Sequence, residues 1–260
     1  MSPPAGRLGR LARYLEGLVR LHPERDRLLA AFPKSGSTWV RFVLCNLVSL
    51  RHWDGRPLDF PLLNRTMPEL GVSRLRGPWP YGETVPRVVK THTAAWPLLR
   101  RVPAVLLVRD PRDVMVSFFH HDAAQGGPRN PGSTLSSFIR GERFGIPGWV
   151  RHTRSWREAE AAVIRYEALR RDPAGGFAGL LETLGARVPD DRLARALERS
   201  TLEATRQAEE RSGADPEADF DDDFRFVRKG AVGEGRAALT EEDRAWIAGE
   251  LRREGIDLYD

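Results

Sequence analysis

A chain of 260 residues with a 41% hydrophobic fraction can bury a full core, which excludes a disordered or low-complexity class. No stretch approaches the roughly 18–20 consecutive apolar residues that cross a bilayer, and no apolar run precedes a small-residue cleavage site, so neither a membrane span nor a secretory leader is expected. The excess of 41 Lys+Arg over 36 Asp+Glu, net +5, suits anionic ligands without choosing among nucleotide, nucleic acid and membrane.

In chain order, residues 8–21 place Leu8, Leu11, Leu15, Leu18 and Val19 on one helical face with arginines elsewhere. Such a basic amphipathic helix, within an N-terminal extension over 1–27, can lie on a membrane or pack on its own domain. Packing is the preferred expectation, because tertiary burial supplies most helical stability. Residues 28–32 read as a short buried strand and 37–50 as a helix, followed by apolar strands at 88–91 and 105–108. Cys45, the sole cysteine, excludes an intrachain disulfide and fits a reducing, cytoplasmic compartment. Asp110-Pro111 opens a helix to about residue 121, since aspartate caps well and proline suits the first helical position. Its His120-His121 pair is the closest histidine spacing, and adjacent helical positions do not face one ligand, so no metal is expected. A helix over 149–161, a strand over 162–166 and helices over 177–184, 190–202 and 240–254 follow, the last with a Thr240/Asp243 capping box. The acidic stretch 213–223, "GADPEADFDDD", breaks the alternation and reads as a mobile surface loop. Strands separated by helices predict an α/β fold, a central parallel sheet flanked by helices, as one domain over 1–260.

Four stretches carry candidate chemistry. In "AFPKSGSTWVRF" a strand ends at Phe32, and a turn of Lys34, Ser35 and Gly36 leads into a helix starting near Ser37 and Thr38. A helix start aims unsatisfied N–H groups and a positive dipole end at an anion; the plain alternative is a capped turn with a surface lysine. In "VRDPRDVMVSFFHH", Arg109 ends a strand and Ser117 lies two turns into the next helix. A ligand beyond the carboxyl ends of a parallel sheet would meet Arg109, whose fork suits phosphate; an Arg109–Asp113 ion pair is the alternative. In "VVKTHT", Lys90 and His92 are two residues apart at a strand end, hence on one face, and histidine can accept a proton near neutrality, although a structural histidine fits as well. In "VRKGAVGEGR", Arg228, Lys229 and Gly230 combine two cations with a flexible backbone, or form a basic turn.

Together, in this order and with "RYEAL" before the last stretch, these pieces resemble the soluble sulfotransferases that use 3′-phosphoadenosine 5′-phosphosulfate (PAPS), over residues 28–236. The resemblance implies that family's P-loop-type fold, PAPS as co-substrate, the bisphosphate PAP as product, and no metal. It implies that Lys34 meets the oxygen bridging phosphate and sulfate, while Ser35, Gly36, Ser37 and Thr38 cradle the phosphosulfate. Trp39 would lie against the adenine, Arg109 and Ser117 would hold the 3′-phosphate, and Arg228, Lys229 and Gly230, in a cofactor-closing segment within 213–236, would cover it. His92 is implied as general base, Lys90 as a partner of the moving sulfuryl group, and Tyr166 and Ser200 as neighbours of the base. Leu202 stands where the family has an aromatic, Gly235 where a tryptophan is common, and the dimer motif of the animal enzymes is absent. The expected partner is a small hydroxylated acceptor, with no nucleic acid and no stable membrane anchoring. Aromatic residues at 53, 60, 79, 81, 144 and 149 are expected around it. Two other readings are a PAPS-binding protein without catalysis and a P-loop kinase; the kinase reading lacks the lysine that follows the loop's last glycine.

Overall fold

The computed structural model describes residues 7–75, 77–124, 134–213 and 230–259. In chain order it contains α1 (Arg7–Arg20), β1 (Asp26–Ala31), α2 (Ser37–His52), α3 (Phe60–Thr66), β2 (Arg87–Thr91) and β3 (Ala104–Val108). Then come α4 (Pro111–Ala124), α5 (Leu135–Ile139), α6 (Ile146–Glu158), β4 (Ala162–Arg165), α7 (Tyr166–Arg171) and α8 (Pro173–Thr183). The chain closes with α9 (Asp190–Glu198), α10 (Leu202–Ser212), α11 (Glu234–Ala238) and α12 (Glu241–Arg253).

The four strands form one parallel sheet in the order β2-β1-β3-β4. Side chains alternate across β1 with period two. Leu28, Ala30 and Phe32 join a core with residues of α4, α6 and α12, while Leu29 and Ala31 face α2, α8 and α9 on the other side. Both faces are thus covered, which explains why β1 and β3 read as continuous apolar runs. At the amino edge the fully buried Asp26 takes a two-pronged hydrogen bond from Arg87, its register partner, at 2.8 and 2.7 Å. Removing one partner of such a pair costs about 3–5 kcal/mol.

The strand order places its switch point between β1 and β3, so a crevice opens beyond their carboxyl ends. Beside it, the free edge of β2 is not bare. Residues 68–70 run along it, Lys90 N donating to Pro68 O and Leu70 N to Lys90 O, and this carries Glu69 alongside Lys90.

Several expectations are corrected in detail. The helix expected over 190–202 is two helices, because Thr201 accepts a hydrogen bond from Ala204 N and starts α10. The strand expected to reach residue 166 stops at Arg165, and Tyr166 begins α7. Proline pulls two helix starts forward: α6 begins at Ile146 beside Pro147, and α8 at Pro173 behind an Asp172 cap. Thr240 caps α12 by accepting from Asp243 N, and the Asp243 carboxylate also takes hydrogen bonds from Ser136 and Arg140. In α1 the face that packs overlaps the expected one only in part. Leu18 is buried, Tyr14 and Leu21 pack against the core, and a Cβ on Gly17 would sit 2.6 Å from Leu70. Leu11, Leu15 and Val19 are exposed, Val19 at 86%.

Candidate active site

The loop leaving β1 is held in an uncommon conformation. Lys34 and Gly36 both have positive φ, 69° and 95°. A lysine there costs about 1–2 kcal/mol, which the surroundings must offset. They do so by bonding the loop backbone: Ser35 N donates to Phe32 O, and Arg109 Nη1 reaches Lys34 O at 3.2 Å. Gly36 is dictated by space as well as by φ, because a Cβ would lie 2.5 Å from the Tyr166 ring. Gly36 also precedes α2 without any side-chain cap, and the first turn of α2 holds no acidic residue. The positive end of that helix is therefore open to an anion from outside. Ser35 is buried, and its Oγ has no hydrogen-bond partner. Ser37 is buried and Thr38 half-buried beside it.

Arg109 leaves β3 into the same crevice. Besides Lys34 O, it donates to Ala231 O at 2.7 Å, lies over the Tyr166 ring at 4.9 Å, and keeps a buried Nε with no partner. The Arg109–Asp113 pair anticipated as the plain alternative is present, but long, at 3.7 Å. Asp113 instead accepts from Gly233 N and Gly235 N at 2.8 and 2.7 Å, fastening α11 onto α4. A Cβ on Gly235 would sit 2.4 Å from the Arg112 backbone, so this close approach explains a glycine at that position. Ser117 is half-buried two turns into α4. Tyr166 OH donates to Gly230 O at 2.8 Å, and Leu202 lies about 4 Å from where a Gly230 Cβ would be. Trp39 meets Tyr166 and Phe177 edge-on. The loop, Trp39, Arg109, Tyr166 and Gly230 thus form one cradle. Arg228 and Lys229 lie outside the described residues. Ser200 does not join it: fully buried, it donates to Ala196 O and accepts from Asn46, tying α9 to α2.

A second cluster lies at the end of β2. His92 Nδ1 is 2.6 Å from Ala31 O. A carbonyl only accepts, so Nδ1 carries the proton and Nε2 keeps its lone pair. Burial, reinforced by Lys90, lowers the His92 pKa to about 4 against the opposing pull of Glu69, so the ring is neutral at pH 7. Lys90 is buried and bonded to Glu69 at 2.7 Å, and the other Glu69 oxygen lies 3.8 Å from His92 Nε2. Burial alone would raise the Glu69 pKa, but Lys90, His92 and Arg41 hold it down to about 2. Arg41 is itself buried and bonded to Met67 O and Asn64. Behind His92 stands His152, buried with neither ring nitrogen partnered, its pKa lowered to about 3 by burial and by His92.

Glu69, Arg41 and His152 are the residues that sequence reasoning missed. Glu69 arrives through an isolated bridge outside any strand, which no periodicity announces. One signal was available for the lysines: the chain has only three, Lys34, Lys90 and Lys229, among dozens of arginines. The aromatic residues expected around an acceptor separate. Phe60 and Trp149 are buried, against Phe42 and Tyr259, and Phe144 packs on Phe118, whereas Trp53, Trp79 and Tyr81 gather elsewhere. Tyr14 stacks on Trp96, and its OH lies 3.1 Å from Oγ1 of Thr93, the residue after His92.

Residues 24–248 match the family model described as "Sulfotransferase domain". Sulfotransferase 1A1 of Bos taurus is 27% identical over 236 residues, 83% of this chain and 78% of the relative. Sulfotransferase 2A1 of Mus musculus is 26% identical over 234 residues, 84% and 79% of the two chains. Among solved structures, retinol dehydratase in complex with retinol and PAP superposes with a TM-score of 0.72 at 19% identity, covering 96% of this chain and 86% of the other. Mouse sulfotransferase SULT7A1 complexed with PAP gives 0.67 at 19% identity, covering 96% and 91%.

Proposed function

The chain belongs to the sulfotransferase family, and from that premise we propose that it moves the sulfuryl group of PAPS onto a hydroxyl of a small-molecule acceptor. The observation carrying this reading is the cradle itself. An uncapped helix start, Lys34, and a buried Arg109 whose Nε lacks a partner meet in the loop after Ala31, whose carbonyl holds a neutral histidine. The buried Ser35 hydroxyl and Arg109 Nε are groups that a ligand with several anionic oxygens satisfies, so the residues present fit the donor. When bound, PAPS supplies an activated sulfuryl group on a phosphate that can leave.

The chain's own residues do the rest. Lys34 and the N–H groups at the start of α2 offset negative charge on the departing phosphate, with Ser35, Gly36, Ser37 and Thr38 around it. Arg109 and Ser117 take the 3′-phosphate, with Gly230 and the neighbouring Arg228 and Lys229 covering it. Trp39, Tyr166 and Leu202 flank the base. His92, its Nδ1 committed to Ala31 O, receives the acceptor's proton at Nε2. Lys90 adds positive charge beside it, held in place by Glu69. Positioned cations of this kind do for sulfuryl transfer what they do for phosphoryl transfer. The acceptor is assigned an apolar or aromatic body, supported by the Tyr14–Trp96 pair and by the retinol and androsterone bound in related folds. A cytoplasmic site of action is part of the proposal, supported by the single, buried and unpaired Cys45. Among the described residues no helix is long and apolar enough to cross a membrane.

The test is transfer of labelled sulfate from PAPS to a panel of phenols and alcohols, with and without chelator. Chelator-insensitive transfer is expected. In His92→Ala, PAP binding should persist while turnover falls about 10²–10⁴-fold. Unchanged turnover would remove His92 from the mechanism, and PAP binding without transfer to any acceptor would leave a binding protein.

A further inference from the structure

A cavity of about 370 Å³ lies between the end of α2, α3 and the turn before β2, and nothing in the transfer reaction uses it. It is remote from the donor cradle. The 16-residue α2 leaves the carboxyl end of β1 at Ser37 and runs back over about 24 Å, so Trp53 sits at the opposite, amino edge of the sheet. Tyr81 and Val85 lie at that same edge, leading into Arg87 at the start of β2.

Three aromatic side chains wall the cavity and are fixed to one another. Trp79 Nε1 donates to Val85 O at 2.7 Å and Trp53 Nε1 to Tyr81 OH at 3.3 Å. Tyr81 meets Trp53 and Trp79 edge-on, at centroid distances of 5.4 and 4.9 Å. The site is therefore preformed, and the indole donors are already committed. What remains for a ligand is the guanidinium groups of Arg56 and Arg65, which also line it. Among the described residues no carboxylate lies within ion-pair distance of either. The volume falls in the range that encloses a small organic ligand. An aliphatic anion would leave the ring walls unused, and a neutral aromatic would leave both cations unanswered.

We propose that this cavity is a second ligand site, separate from the transfer site, for a flat aromatic carboxylate or sulfate whose ring lies among Trp53, Trp79 and Tyr81 and whose anionic group meets Arg56 and Arg65. The proposal does not depend on which acceptor is sulfated. It is tested by calorimetric titration of the full chain with 1-naphthoate, in saturating PAP, alongside neutral 1-naphthamide and the double variant Arg56→Gln/Arg65→Gln. Both arginines are exposed, so the variant should keep its melting temperature and its sulfate transfer. The expected result is a naphthoate site that persists with PAP bound, weakens at least about tenfold in the variant, and takes naphthamide at least about tenfold more weakly. No naphthoate binding, binding unchanged by the double substitution, or equal binding of the amide would each overturn it.

Discussion

Glu69 sets the state of Lys90 and His92, the two residues proposed to face the acceptor. It bonds Lys90 at 2.7 Å, stands 3.8 Å from His92 Nε2, and is the charge that raises the His92 pKa against burial and Lys90. In Glu69→Gln the His92 pKa should therefore drop further, and the acid limb of the turnover–pH profile should move to lower pH. Turnover should fall while PAP affinity holds; a profile that keeps its shape would make Glu69 merely structural. At the donor end, Gly36→Ala meets both a positive φ and the Tyr166 ring at 2.5 Å, so PAP affinity should fall at least about tenfold in a binding titration. The cradle was largely legible in the sequence because its parts are short and local: a loop between a strand and a helix, an arginine at a strand end. Glu69 and His152 were not, since their roles arise from an edge bridge and from helix packing across the sheet. Ser200, expected near the base, bonds Asn46 and Ala196 O instead of facing the cradle. A hydroxyl in a family motif says nothing about whether Asn46 already occupies it.

Among the elements, α1 shows how far pattern alone carries. Its apolar pattern selects Leu8, Leu11, Leu15, Leu18 and Val19, yet Leu18 packs together with Tyr14, Gly17 and, just past the helix, Leu21, because Leu70 and Leu75 line that side, while Leu11, Leu15 and Val19 stay exposed. Leu18→Ala should cost at least about 2 kcal/mol in denaturant unfolding. Leu15→Ala should stay within about 0.5 kcal/mol. Equal losses would mean that the helix packs through both faces. The sheet was legible because its strands are buried on both sides and read as apolar runs. The short helices α3, α5, α7 and α11 were not, since five to seven residues leave no period to read. In α2, burial raises the Cys45 pKa to about 12 despite Thr66 and Arg41. Iodoacetamide at pH 8 should leave Cys45 unlabelled until the chain is unfolded.

For the molecule as a whole, acid is the expected weakness. Folding keeps His92 and His152 uncharged, with pKa values of about 4 and 3, whereas the unfolded chain takes up those protons near pH 6.5. Stability should therefore drain as pH falls below about 6.5, and the Glu69 carboxylate, held at about 2, adds to the loss below about 4.5. The melting temperature should drop between pH 7.5 and 5, and His152→Phe, which keeps a ring beside Phe32, should shrink that drop. An undiminished drop would place the acid sensitivity elsewhere. The scarcity of lysine reaches further, into how the protein can be handled. Lys34 sits in the donor loop, Lys90 is sealed behind Glu69, and Lys229 adjoins Gly230 of the cradle. Amine-reactive dyes, cross-linkers and activated surfaces therefore find few side chains to couple with, and of the two described lysines one sits in the loop after β1 and the other is buried against Glu69. Tethering through lysine would be a way of plugging the enzyme, and protection of Lys34 by PAP would turn an ordinary acylating reagent into a gauge of donor occupancy.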